Sequence, residues 1–170
     1  MVRRVYWDAC AFLGLINKEA GRHPDCLSVW REAEKGRTII FTSFFTWAEV
    51  FRARCEGVSK PLAEEKDKDI EAVLGQRFIE ASPVDEGIGV AARRLMRRHA
   101  ACRKPSDAIH LATALRLSVD ELHTFDGADL LNLDGQVMCA DGRFLPICRV
   151  RPQPPAPAPL LDALENPEKT

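Results

Sequence analysis

Apolar residues fall in short clusters along this chain, and each cluster is followed by a stretch in which they recur every three or four positions. Val2 to Trp7, rich in β-branched and aromatic residues, predicts a buried strand. Ala9 to Asn17 reads as a helix. Asp25 to Lys35 reads as a second, with Leu27, Trp30 and Ala33 on one face and Gly36 as its stop. Thr38 to Thr42 is a second strand, followed by helices from about Phe44 to Cys55 and from about Leu62 to Leu74. Phe78 to Ala81 is a third strand. Asp85 to Ala100 carries Ile88, Ala91, Ala92, Leu95 and Met96 at helical spacing, and Ser106 to Leu117 carries Ile109, Ala112 and Leu115. Glu121 to Phe125 is a fourth strand and Ile147 to Val150 a fifth.

Short apolar strands alternating with amphipathic helices predict an α/β fold, a three-layer α/β/α sandwich around a mostly parallel sheet. In such sheets ligands sit outside the carboxyl ends of the strands. The sandwich is expected over residues 1–151. Beyond it, RPQPPAPAPLL places prolines at 152, 154, 155, 157 and 159, which excludes a helix or central strand and predicts an extended, disordered tail over 152–170. Leu160 to Glu165 is the one stretch of the tail with an amphipathic turn, and a docking segment for a partner is the other reading of it.

The carboxyl ends of the strands carry acids. Asp8 ends VRRVYWD and Asp126 closes LHTFD; Glu49 lies in TSFFTWAEVFR and Asp107 opens DAIHLATAL. Each has an ordinary explanation. Asp8 suits a helix N-cap, Glu49 follows Thr46 at capping-box spacing, Asp107 suits the helix macrodipole, and Asp126–Gly127 is a common turn pair. Together they are harder to explain so. Asp8, Glu49 and Asp107 are embedded among Trp7, Ala9, Trp47, Ala48, Val50, Ala108 and Ile109, and burying unpartnered charge is costly. Two carboxylates about 4 Å apart repel by roughly 4 kcal/mol at an effective dielectric of 20. A divalent cation reverses that penalty, and oxygen ligands select a hard ion, Mg²⁺ or Mn²⁺.

YWDACAFLGL, TSFFTWAEVFR, SDAIHLATAL and LHTFDGADLL, in that order and spacing, resemble the PIN-domain nucleases, and specifically the VapC-type toxins of toxin–antitoxin pairs, over about residues 1 to 151. The resemblance implies a Mg²⁺- or Mn²⁺-dependent endoribonuclease, with Asp8, Glu49, Asp107 and Asp126 as the acids that hold metal. It implies that Thr124 supports them by its hydroxyl, with Asp129 as an additional acid. It gives Ser43 as a small polar residue before the second acid, where it also suits a helix cap. It implies an RNA substrate, an antitoxin partner and a homodimer. A PIN nuclease of RNA processing or DNA metabolism, and a non-catalytic nucleic-acid-binding module on the same fold, are the alternatives. A haloacid-dehalogenase-like phosphatase is disfavoured, because DAC follows the first strand without a second Asp two positions on.

Charge and composition adjust this picture. The formal net charge of −1 announces no nucleic-acid binder. The local run Arg93, Arg94, Arg97, Arg98, Arg103 and Lys104 supplies the candidate phosphate contacts, with a solvated helix face as the plain alternative. His110, one turn after Asp107, reads as packed or hydrogen-bonded. Trp47, beside Phe44, Phe45 and Phe51, reads as core or partner interface, with base stacking as the alternative. Six cysteines without a CxxC pair predict reduced thiols, with Cys139 and Cys148 able to pair only in an oxidising setting. No stretch has the length of a membrane span or the pattern of a signal peptide, which predicts a cytoplasmic protein. Residues 134 to 146 make a long connection that suits a small hairpin turning at Asp141–Gly142.

Overall fold

The computed structural model describes residues 2–153; the tail and its Leu160–Glu165 turn lie outside them. Five strands pair in the order β3-β2-β1-β4-β5, and every pairing is parallel. They are β1 (Arg3–Trp7), β2 (Thr38–Ser43), β3 (Ile79–Ser82), β4 (Glu121–His123) and β5 (Ile147–Cys148). The helices are α1 (Ala9–Ile16), α2 (His23–Glu34), α3 (Phe44–Glu49), α4 (Glu64–Leu74), α5 (Glu86–Arg98) and α6 (Pro105–Leu117). This is the expected parallel α/β/α sandwich.

Strand alternation sorts the two cores. Val5 and Trp7 of β1 pack with Phe12, Val29, Ile40, Ile70 and Leu74, so α1, α2 and α4 cover one face. Tyr6, Phe41, Leu122 and Ile147 pack with Ile88, Ala92, Leu111 and Ala114, so α5 and α6 cover the other. The register aligns Tyr6 with Phe41 and Leu122, which keeps the side facing α5 and α6 apolar across β2, β1 and β4. The chain winds from β1 outward through β2 to β3, then returns to the other side of β1 for β4 and β5. The switch point therefore lies between β1 and β4, where Asp8 and Asp126 emerge.

The helix expected to run to Cys55 is shorter. Val50 donates the last α-helical bond, to Thr46, and takes φ −87, ψ 50. Only a 3₁₀ turn, Arg54–Glu56, follows. Contacts from elsewhere in the fold hold the bend. The Arg54 N–H donates to Asn17 Oδ1 at 2.8 Å, and Ala53 N–H to Glu56 Oε2 at 2.7 Å. Residues 134–146 do form a small hairpin, with an antiparallel bridge between Met138 and Phe144 and Gly142 at φ +84, where a side chain would be strained. All six cysteines are free thiols. Among the described residues, no helix is long and apolar enough to cross a membrane.

Candidate metal centre

Asp8 leaves β1 as the N-cap of α1. Its Oδ1 accepts from the Ala11 N–H at 3.0 Å and its Oδ2 from the Thr124 hydroxyl. That hydroxyl oxygen accepts in turn from the Asp126 N–H at 2.9 Å. One threonine thus ties the acid after β1 to the acid beyond β4. Asp8 is 2% exposed. Burial pushes its carboxyl up to about 6, against the opposing pull of His110 and the Thr124 hydrogen bond.

Asp107 enters from the first turn of α6, behind Pro105 at the helix start. Its Oδ1 has a long contact of 3.4 Å from the Ser106 hydroxyl, while Oδ2 is buried with no hydrogen-bond partner. Burial pushes this carboxyl up, Lys104 opposes, and Asp126 and Asp129 add to the rise. Asp126 spends Oδ1 on the N–H groups of Ala128 and Asp129, at 2.9 and 3.0 Å. Asp129 is fully buried, and Arg103 grips its Oδ1 through Nε at 2.7 Å and a terminal nitrogen at 2.6 Å. One oxygen from each of Asp107, Asp126 and Asp129 lies within 4.8 Å of the others. Lys104 Nζ stands among them, 2.6 Å from Asp129 Oδ2, 3.1 Å from Asp126 Oδ2 and 3.6 Å from Asp107 Oδ2.

Glu49 ends α3 and meets α6 one turn beyond Asp107. Its Oε2 lies 2.6 Å from His110 Nε2. His110 Nδ1 lies 2.9 Å from the Tyr6 hydroxyl, whose pKa burial pushes well above the ordinary phenol value. The ring is 2% exposed, so His110 is a hydrogen-bonded strut between β1 and Glu49. Ser43 is the N-cap residue of α3 but makes no side-chain cap bond. Trp47 is half-buried, while Phe44 and Phe51 are more than half exposed, at 54% and 53%.

The basic run divides. Arg93, Arg94, Arg97 and Arg98 are exposed on α5, and no ion pair ties them to the described residues. Arg94 and Arg98 edge a cavity of about 540 Å³ floored by Leu95, Ala112, Leu115 and Val137. Arg103 and Lys104 turn instead to the carboxylates. Sequence reasoning missed that engagement, although the three-residue step from Lys104 to Asp107 at a helix start was a signal for it.

Glu121, His123 and Cys148 also bring ligand-type atoms within 4.8 Å, but cations already fill that group. Arg3 contacts Glu121 at 2.8 Å and Arg151 contacts it at 3.0 Å. His123 Nδ1 accepts from the Trp7 indole N–H at 3.3 Å, which leaves Nε2–H to donate to Glu121 at 2.9 Å. Burial opposes ionisation of Glu121, yet hydrogen bonds from His123, Arg151 and Arg3 outweigh it and hold the carboxyl well below its usual range. This network pins the chain at Arg151 to the sheet.

The acid cluster differs in kind. Its donors are all carboxylate oxygens, two of them, Asp107 Oδ2 and Asp129 Oδ2, are buried without a hydrogen-bond partner, and Asp8 and Asp107 both resist ionisation. Those features fit a hard divalent cation. No curated protein matches the chain in sequence. Among solved structures the fold is similar to that of VapC20 of Mycobacterium tuberculosis, a sarcin–ricin-loop-cleaving toxin. The TM-score is 0.56 and the identity 16%, over 72% of this chain and 90% of that one. At that identity the likeness speaks for the fold. The PIN-domain family model matches residues 5–135, from β1 through the acids that follow β4, and the chain belongs to the PIN-domain family of nucleases.

Proposed function

We propose that this chain is a Mg²⁺- or Mn²⁺-dependent endoribonuclease, the toxin of a cytoplasmic toxin–antitoxin pair. The observation that carries the reading is the convergence of Asp107, Asp126 and Asp129 at the switch point, with two buried oxygens lacking a hydrogen-bond partner and Asp8 tied to Asp126 through Thr124. Asp107, Asp126 and Asp129 would hold the ion, with Asp8 beside them. When bound, the ion supplies a water of lowered pKa and neutralises charge on the scissile phosphate. The residues do the rest. Thr124 orients Asp8 and Asp126 through one hydroxyl. His110 fixes Glu49, whose side chain keeps 26% exposure and is the carboxylate open to take the proton of the attacking water. In-line displacement of the 3′-oxygen leaves a 5′-phosphate. The α5 arginines supply exposed positive charge for the RNA backbone. The exposed Phe44 and Phe51 suit a homodimer or antitoxin contact. The VapC20 likeness supports the RNA and antitoxin assignments at the level of fold.

The test is cleavage of a mixed RNA pool with Mg²⁺ or Mn²⁺, an EDTA control and the Asp8→Asn variant. Cleavage lost both with EDTA and in the variant is the expected result. No cleavage by folded, metal-supplied wild type rejects the reading.

A further inference from the structure

The three carboxylates at the centre of the cluster each keep one oxygen directed at a common point. Asp126 has committed Oδ1 to two backbone N–H groups, and Asp129 has committed Oδ1 to Arg103. Oδ2 of each remains, together with the partnerless Oδ2 of Asp107. The atom nearest all three is Lys104 Nζ, at 2.6, 3.1 and 3.6 Å. A lysine amine is an ammonium at neutral pH, and here it stands among three carboxylates. Its stem comes from the N-cap position of α6, and the side chain is 54% exposed. It reaches the cluster from the solvent side and has open space to retreat into.

The geometry points to Lys104 as a tethered stand-in for the divalent cation: its ammonium holds Asp107, Asp126 and Asp129 together in the metal-free protein and must leave before an ion binds. This rests on the proposed metal-dependent reading and adds to it a built-in competitor that sets metal affinity. Two physical facts require the competition. An ammonium sits about 2.7–2.9 Å from its acceptors, whereas Mg²⁺ binds oxygen at about 2.0–2.1 Å. The two cations need the same oxygens at different spacings and cannot share them. The tether also gives Lys104 a high local concentration at the site, so an incoming ion must displace a partner that never diffuses away. Arg103 does not compete in this way. It approaches the opposite oxygen of Asp129 and remains compatible with an ion. Lys104 is thus a positioning and affinity-setting residue.

The experiment is a titration of full-length protein with Mn²⁺, with free Mn²⁺ read by electron paramagnetic resonance and no RNA present. Wild type, Lys104→Gln and Lys104→Arg are compared. Lys104→Gln is expected to bind Mn²⁺ at least tenfold more tightly than wild type, and Lys104→Arg to restore weak binding. Because Lys104→Gln leaves crowded acids without their cation and can fail to fold, a second measurement uses unaltered protein. The ¹⁵N-labelled Lys104 ammonium resonance is expected to be protected from solvent without metal and to lose that protection as Mg²⁺ is added. Binding by Lys104→Gln equal to or weaker than wild type, or an ammonium resonance that Mg²⁺ leaves unchanged in protein that binds Mn²⁺, overturns the inference alone. No Mn²⁺ binding by wild type or by folded variants overturns the metal-dependent reading together with it.

Discussion

Two polar clusters are built around β1 and β4, and they are electrostatic opposites. On the α2 side of the sheet, Arg3 and Arg151 face Glu121 and Glu32, and burial lowers the pKa of His123. Charge there is balanced and donors meet acceptors. At the carboxyl ends of the strands, the ion pairs of Asp107, Asp126 and Asp129 among the described residues are with Arg103 and Lys104, and Asp8 has none. Four carboxylates against two cations leave a deficit of positive charge there. Both clusters bring three ligand-type residues within the same distance, so proximity does not separate a structural network from a metal site. Compensation differs between them: Glu121 is held down by partners that suffice, and Asp129 by Lys104 and Arg103, while Asp8 and Asp107 are pushed up by burial that their partners do not offset.

That contrast can be broken by substitution. Asp8→Asn should reduce RNA cleavage by more than the roughly 10–100-fold that loss of a supporting partner costs a metal site. The same change should raise the stability of metal-free protein at pH 7 by up to about 3 kcal/mol, since the folded chain holds that carboxyl near 6 against an ordinary 3.8. Activity assays and denaturant melts of one preparation read both effects; a variant less stable than wild type would contradict the charge deficit. His110→Ala should cost cleavage about 10–100-fold by releasing Glu49, while circular dichroism stays native.

Glu121→Gln should behave in the other direction. It leaves Arg3 and Arg151 without their carboxylate and should destabilise the fold by about 3–5 kcal/mol, with activity per folded molecule unchanged. The pH dependence sharpens the comparison. Glu121, with a depressed folded pKa, contributes stability above its ordinary 4.5 that is lost as pH falls toward its folded value. Asp8, with a raised one, contributes below 3.8 and loses that contribution as pH rises through about 6. In melts across pH, Glu121→Gln should flatten the acid limb and Asp8→Asn the decline toward neutrality. The smallest effect expected is at the surface. Arg94→Gln with Arg98→Gln should reduce the salt slope of RNA binding by about 1.4, at about 0.7 per phosphate contact on a single strand.

Much of this arrangement was legible in the residues. Apart from α3, the alternation of apolar runs and helical periodicity gave strands and helices within a residue or two of those observed, because β1 and β2 are buried on both faces and α5 has one strong apolar stripe. The acids stood out because they sit in apolar sequence. What could not be read was decided by contacts between distant residues. Nothing local tells α3 to stop at Glu49; the Asn17 carbonyl that receives Arg54 lies 37 positions away. Nothing local separates Lys104 from the α5 arginines, since its partners Asp126 and Asp129 arrive with another element. Likewise His110 acquires its role only when α3 brings Glu49 alongside.

The Thr124 bridge between Asp8 and Asp126 has a consequence for the order of events during synthesis. Asp8, Glu49 and Asp107 emerge from a ribosome well before Thr124, Asp126 and Asp129. Until β4 slides in beside β1, Asp8 has no hydroxyl to orient it, Lys104 lacks its two nearest carboxylates, and the switch-point cleft lacks one of its walls. The acid cluster is therefore completed late in translation, by one long-range strand pairing.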